Sequence, residues 1–499
     1  MKSKIFTIAI VLLLLVTLTV AAEDVVHRYG CRRGVMPNSA LLHRAASTPR
    51  QAGGDFYHGD RHQLVVLAAF KDRTFKNDEA AAMEQWNKIF NAENYHENPF
   101  VGSVHDYFYT QSYGKFNVTF DLHYVALADS CKKYRSTADD DENSQYLVDD
   151  IVDSLMNRGI DWSPYDWNGD GYVNQVLIVY AGKGSSYGSF GGGYDAVWPH
   201  QWWLSCHLDL PSHKRYRSYR TVSSGGCEYK VDCYCVLQEL YTDGSYGSFG
   251  TICHEYTHCF GFPDFYYGSS TKVVGDWDLM DNGNYNGGGY RPCDYSAHER
   301  WLMGWLTPSE LTSDVTVADM PALCDEPQAY MLRNDGFEDE YYFIENRQQR
   351  GWDSSLPGNG IVVFHINFDK DIWVGSSREF ANNDTRKRYY IIPANNSKST
   401  FSSSMSGWPY PYQANDSLTN NSTPAAVLQN ANTDGSMLMN KSLYDMKVED
   451  GLASFRFVAG QSTGVEELRD GQPYKILYDF GPVIIIRYSN GEIKKVMKR

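Results

Sequence analysis

Beyond its first two dozen residues the chain has no apolar run approaching the roughly 18 residues that a bilayer-crossing helix needs, so nothing downstream reads as a membrane span. Positive charge is also scarce: 45 Lys and Arg stand against 61 Asp and Glu, a formal net charge of −16. That balance argues against a nucleic-acid partner or an anionic membrane surface, because phosphate-rich surfaces demand clustered cations. The ten cysteines (Cys31, Cys131, Cys206, Cys227, Cys233, Cys235, Cys253, Cys259, Cys293 and Cys324) could pair in an oxidising compartment, in several ways that spacing does not decide. Cys233-Tyr-Cys235 has no second spaced pair beside it, which makes it a weak zinc-knuckle signal.

What is present begins with an export pattern. Lys2 and Lys4 precede an apolar run at 5–20, and Val20-Ala21-Ala22 supplies the small residues a signal peptidase reads. Residues 1–22 are therefore expected to be a signal peptide, and the protein to be secreted or held at the cell surface. Residues 23–59 carry scattered Arg28, Arg32, Arg33, Arg44 and Arg50 with little apolar periodicity, which predicts a leader or short pro-segment too small for a folded inhibitory domain.

The remaining length suits two or three domains at roughly 100–200 residues each. Segments 63–70 (QLVVLAAF) and 175–182 (QVLIVYAG) are continuous apolar strand candidates of the kind buried on both faces. Helical periodicity at 78–90 and 143–156 alternates with them, predicting an α/β (α+β) catalytic domain at 60–310. The hexapeptide SYGSFG occurs at 186–191 and again at 245–250; both copies are expected to be loops. After residue 305 the helical signal fades and strands are expected at 341–345, 360–366 and 389–392, defining a β-rich domain at 311–460. Within it, 395–424 is dense in Asn, Ser, Thr and Pro and reads as surface loops, and His365 reads as a hydrogen-bonded core histidine. A C-terminal tail follows at 461–499, with a short strand at 483–488; it loosely resembles the sorting tails of secreted Bacteroidetes proteins.

Chemistry concentrates at His254-Glu255-Tyr256-Thr257-His258. On an α-helix, positions four apart share a face, so two imidazoles could ligate one Zn2+ with Glu255 beside them as general base. Such a zinc keeps a position for water, lowers its pKa and polarises a carbonyl. The pentapeptide arises by accident in roughly two chains of this length per hundred, so its flanks decide. They read HEYTHCFGFPD: Gly261 can end the helix in a left-handed turn and return the chain with Asp264 as third ligand. The competing third ligand is Glu299, in SAHERWLMGW, which otherwise reads as an exposed helix residue. Met280, in GDWDLMD, is placed for a methionine turn under the metal, or is a plain core methionine. Tyr266, Tyr285, His200 and His298 are candidate donors to a developing oxyanion.

HEYTHCFGFPDFY, followed by GDWDLMD and ERWLMGWL, resembles the immune inhibitor A-like family of secreted bacterial metallopeptidases. Segments 104–120, 165–184, 197–203, 341–348 and 358–367 extend the likeness over about residues 60–370. The resemblance implies a zincin-like fold followed by further domains, catalytic zinc, protein or peptide substrates and export. It carries ligand roles onto His254 and His258, the base onto Glu255 and the third ligand onto Asp264. The family tends to have a sizeable N-terminal propeptide, from which 23–59 departs. Readings from other classes are a binding protein or adhesin that kept the fold and lost activity, against which the intact Glu255 argues, and a zinc hydrolase of a non-peptide amide.

A second ion is expected at Asp166, Asn168, Asp170, Tyr172 and Asn174, which occupy positions 1, 3, 5, 7 and 9 of a calcium-type loop with Gly171 at position 6. Position 12 is Leu177 rather than Glu, so the loop is Ca2+-like without being an EF-hand, and a polar turn is the simpler alternative.

Overall fold

The structure, a computed structural model, describes residues 57–460 apart from 136–142, 185–196, 207, 210–213, 216–218, 242, 248, 267–271, 374–380 and 384, together with four strands of the tail. The expected signal peptide, most of the leader and the first SYGSFG copy lie outside the described residues.

The first layer is a five-stranded sheet. Its strands are β1 (Gly59–Ala69), β2 (Phe116–Ala126), β3 (Val176–Lys183), β4 (His200–Trp203) and β5 (Cys233–Leu240), in the order β2-β1-β3-β5-β4. All neighbours are parallel except β4, which closes one edge antiparallel to β5. β1 and β3 are the continuous apolar segments of the sequence, and both faces of the sheet are covered. Helices α1 (Glu79–Asn91), α2 (Val104–Gln111) and α4 (Phe249–Cys259) cover one face, and α3 (Ser144–Arg158) covers the other. Side chains along β5 alternate between them: Cys235 and Leu237 join the α4 side, Tyr234 and Val236 the α3 side. Local signals set the helix ends. Asp78 caps α1 by accepting from Ala81 N at 3.0 Å, Ser103 and Asp106 form a capping box on α2, and Gly159 ends α3 in the left-handed conformation.

A second sheet follows the short helix α5 (Ala297–Leu302). It contains β6 (Ser309–Glu310), β8 (Tyr330–Asn334), β9 (Phe337–Arg347), β10 (Gly360–Asn367) and β11 (Tyr389–Ile391) in that order. β7 (Val315–Met320), β12 (Ser442–Glu449) and β13 (Leu452–Val458) make a third, smaller sheet. The strands expected at 341–345 and 360–366 are present and longer, and β10 is buried at every position. The reason is that the second sheet is a partition: Tyr341, Phe343, Val362 and Phe364 face the core that contains α4, while Tyr342, Ile344, Ile361 and Val363 face the core of the third sheet. One hydrophobic cluster thus runs from Tyr57 to Trp408, across residue 310. The molecule is mixed α/β, with β structure dominating after residue 305.

Helix α4 has no solvent face: every residue from Phe249 to His258 is buried. Its first turn lies directly on the 283–289 segment, so close that a Cβ on Gly250 would sit 1.9 Å from Asn284 O. Only glycine fits there. Gly250→Ala should lower the melting temperature by an amount corresponding to at least about 1–3 kcal/mol, the usual cost of overpacking; thermal melts of the variant and wild type check it.

Candidate active site

One helical turn separates His254 from His258 on α4, and their ring centroids are 4.8 Å apart. The helix ends at Cys259, Gly261 adopts φ 103°, and the chain doubles back so that Asp264 meets both imidazoles. Asp264 Oδ1 lies 3.3 Å from His254 Nε2 and 3.1 Å from His258 Nε2. Among the described residues this is the one group of three His, Cys, Asp or Glu side chains whose ligand atoms converge, all within 4.8 Å of one another, and all three residues are buried.

The other ring nitrogens fix the orientation. His254 Nδ1 donates to Leu279 O and His258 Nδ1 to Phe262 O, each at 2.8 Å. A carbonyl can only accept, so Nδ1 of each ring carries a proton, and Nε2, the atom left for a metal, faces Asp264. The inward atoms are poorly aligned with one another: His254 Nε2 and both Asp264 oxygens have no hydrogen-bond partner. Leaving buried polar atoms so costs about 1–3 kcal/mol each. A divalent cation would satisfy all of them at once, and two imidazoles with a carboxylate is a donor set suited to zinc.

In the ion-free site, burial alone would lower the His254 pKa, but the facing Asp264 carboxylate and the Glu255 charge outweigh it and raise it to about 9. Burial works against the Asp264 carboxylate, yet the facing imidazoles, His258 foremost, hold it well below the usual range.

Glu255 is buried beside His254 on the same helix. The Tyr266 ring stacks against that of His254, centroids 6.5 Å apart and planes at 17°. Tyr285 lies in the 283–289 segment under α4. Met280 is buried in the turn whose Leu279 carbonyl holds His254; its own N–H bonds Asp278 Oδ1 and its carbonyl accepts from Phe265 N, both at 2.8 Å.

Two expectations need correction. His200 is not near the imidazoles: its Nε2 is 3.3 Å from both Ser144 Oγ and Tyr234 OH, on the α3 face of the sheet, because its β4 position pairs with Val236 of β5. Glu299 is not an exposed helix residue; it is buried at the start of α5, where its Oε2 accepts from Ser296 N at 2.7 Å in a capping box, and it stands outside the converging triad. His298 is enclosed by aromatic rings, with Nε2 3.2 Å from Tyr341 OH. In the 166–174 loop Asp166 accepts from Asp170 N at 3.1 Å and Gly171 N at 2.9 Å, Asp170 from Tyr172 N at 2.9 Å, Asn168 Nδ2 donates to Asp170 Oδ2 at 2.9 Å, and Asn174 accepts from Trp167 N at 2.7 Å.

Sequence reasoning missed the supports. The Leu279 and Phe262 carbonyls are backbone atoms and leave no residue-type signal. Asp278 and Asp281 do have one, the repeated acid in GDWDLMD: Asp281 Oδ2 accepts from Val273, Val274 and Gly275 N–H at 2.7–2.8 Å, and Asp278 Oδ2 accepts from Tyr389 OH at 2.8 Å.

The raised His254 pKa has a consequence for the metal-free protein. A raised folded-state pKa stabilises the fold fully below about pH 6.5 and loses that contribution as pH rises through about 9. The melting temperature of metal-stripped protein should therefore drop between pH 7 and 10, and Asp264→Asn, which removes the main charge holding that proton, should flatten the drop.

Residues 61–305 match the family model described as immune inhibitor A peptidase M6, catalytic domain. The chain is 25% identical over 284 residues to immune inhibitor A of Bacillus thuringiensis subsp. alesti, covering 49% of this chain and 40% of that protein. It is 26% identical over 188 residues to the pre-pro-metalloprotease PrtV of Vibrio cholerae serotype O1 (strain M66-2), covering 34% of this chain and 19% of that protein. It therefore spans less than half the length of either relative. The histidine pair and Asp264 are drawn together inside the matched region, and residues 61–305 are similar to the catalytic domain of the immune inhibitor A-like metallopeptidases.

Proposed function

We propose that the protein is an exported zinc endopeptidase in which His254, His258 and Asp264 hold the metal and Glu255 is the general base. The observation that carries this reading is the convergence of two Nε2 lone pairs and one carboxylate in a buried site, with both Nδ1 atoms tethered to backbone carbonyls. When bound, zinc would polarise the scissile carbonyl and acidify a water molecule. The chain's own residues do the rest. Glu255, held next to His254 by the helix, takes the proton from the attacking water and passes it to the leaving amine. Tyr266, stacked on His254, is the proposed donor to the developing oxyanion. Burial of α4 from Phe249 to His258 shields the ligands from bulk water and strengthens these electrostatic contacts.

A zincin-like arrangement, a catalytic unit at 60–310 and a β-rich unit at 311–460 are part of the same proposal, as is export through residues 1–22. Among the described residues no helix is long and apolar enough to cross a membrane. The substrates are proteins or peptides, in keeping with the family. Ca2+ is proposed as a structural ion in the loop of Asp166, Asn168, Asp170, Tyr172 and Asn174, which ends where β3 begins.

Purified protein should cleave casein, and a chelator should abolish the cleavage. Glu255→Gln should lower kcat by at least about 100-fold, the low end of a general base's contribution, while zinc content by metal analysis stays at one per chain; full activity in that variant would refute the mechanism. Asp264→Ala should lose zinc and Glu299→Ala should keep it. If calcium fills the 166–174 loop, adding it should raise the melting temperature of wild type and not of Asp170→Ala.

A further inference from the structure

Behind the histidine pair, the last turn of α4 meets β5 through sulfur. Cys233 and Cys235 are two apart on the strand, so both project from the same face of the sheet. Cys259, the residue after His258, comes down between them: its Sγ is 3.3 Å from Cys235 Sγ and 3.9 Å from Cys233 Sγ. Cys235 Sγ and Cys259 Sγ each contact the carbonyl of Glu255, at 3.4 and 3.8 Å, and Gln201 Nε2 donates to Cys233 Sγ at 3.2 Å. The two strand cysteines are buried, and Cys259 is half-buried. The three sulfurs do not converge as the ligand atoms of His254, His258 and Asp264 do, which favours covalent pairing over a shared ion.

We propose that Cys259 is a modification site: it forms a disulfide with Cys235, with Cys233 as the alternative partner, fastening the end of the metal-site helix to the central sheet. Closing the Cys235–Cys259 gap of 3.3 Å to an S–S bond of about 2.05 Å asks for a movement of only about 1.3 Å. The oxidant is a low-molecular-weight disulfide. The Cys259 thiol, the more exposed of the pair, gives its proton to solvent, and its sulfur attacks one sulfur of the oxidant, breaking that S–S bond and releasing one thiolate. The Cys235 sulfur, its own proton lost to solvent, then attacks Cys259 in the mixed disulfide and releases the second thiolate. Two electrons pass from the two cysteines to the oxidant, which leaves as two thiols. The closed loop, 235–259, contains His254, Glu255 and His258, so the bond limits the unfolded states open to the segment that carries the site.

Disulfide mapping tests this without reference to catalysis. The full chain is equilibrated with reduced and oxidised glutathione, trapped by alkylation, digested without reduction and sequenced by mass spectrometry. The expected species is a Cys235–Cys259 cross-link that dithiothreitol removes. In Cys235→Ser the link should move to Cys233, and in Cys259→Ser both strand cysteines should be recovered alkylated. Recovery of Cys259 alkylated from the oxidised wild type, or linked to a cysteine other than Cys233 or Cys235, overturns the proposal. Reduction should lower the melting temperature of wild type by several degrees more than that of Cys259→Ser; equal drops overturn the fastening role.

Discussion

Two backbone carbonyls, Leu279 O and Phe262 O, decide which way the imidazoles of His254 and His258 point, and the surrounding structure keeps those carbonyls in place. Phe262 is fixed by the reversal at Gly261, which also delivers Asp264. Leu279 is fixed by the turn at 278–283, where Asp278 bonds Met280 N and Asp281 gathers three consecutive N–H groups. Without these tethers each ring could rotate or change tautomer and the lone pairs would not converge. The close seating of Gly250 on Asn284 O serves the same end, because it sets the distance between the helix and the segment that follows this turn.

The second sheet reaches the same turn from the other side. Arg347 of β9 is fully buried and binds Asp353 through Nε and Nη2 at 2.6 and 2.7 Å, Glu345 at 3.0 Å, and the carbonyls of Asp294 and Trp277 at 3.1 and 3.5 Å. Tyr389 of β11 bonds Asp278. Removing one partner from such a buried network leaves a charge without compensation, which typically costs about 3–5 kcal/mol. The strands beyond residue 310 thus hold the floor of the histidine site as well as sharing its hydrophobic core.

Much of this was legible in the sequence where the signal was local. The continuous apolar runs became β1 and β3, the periodic segments became α1 and α3, and the histidine spacing, Gly261 and Asp264 marked the residues the fold brings together. β5 and α2 passed unnoticed, the first because Cys233-Tyr-Cys235 read as a failed metal motif rather than as a buried strand, the second because eight residues show little periodicity. His200 misled because chain position does not reveal which face of a sheet a side chain takes; a register shift of one residue would reverse it. Glu299 misled because a capping glutamate and an exposed helical one look alike until something packs over the cap.

The central claim is that nitrogen and a carboxylate oxygen of this helix and its return loop hold zinc. X-ray absorption at the zinc edge of purified protein tests it most directly. The account predicts a first shell of nitrogen and oxygen at about 2.0–2.2 Å with the multiple-scattering pattern of two imidazoles, lost in His258→Ala. A sulfur shell at about 2.3 Å, which would place the metal among Cys233, Cys235 and Cys259 instead, would contradict it.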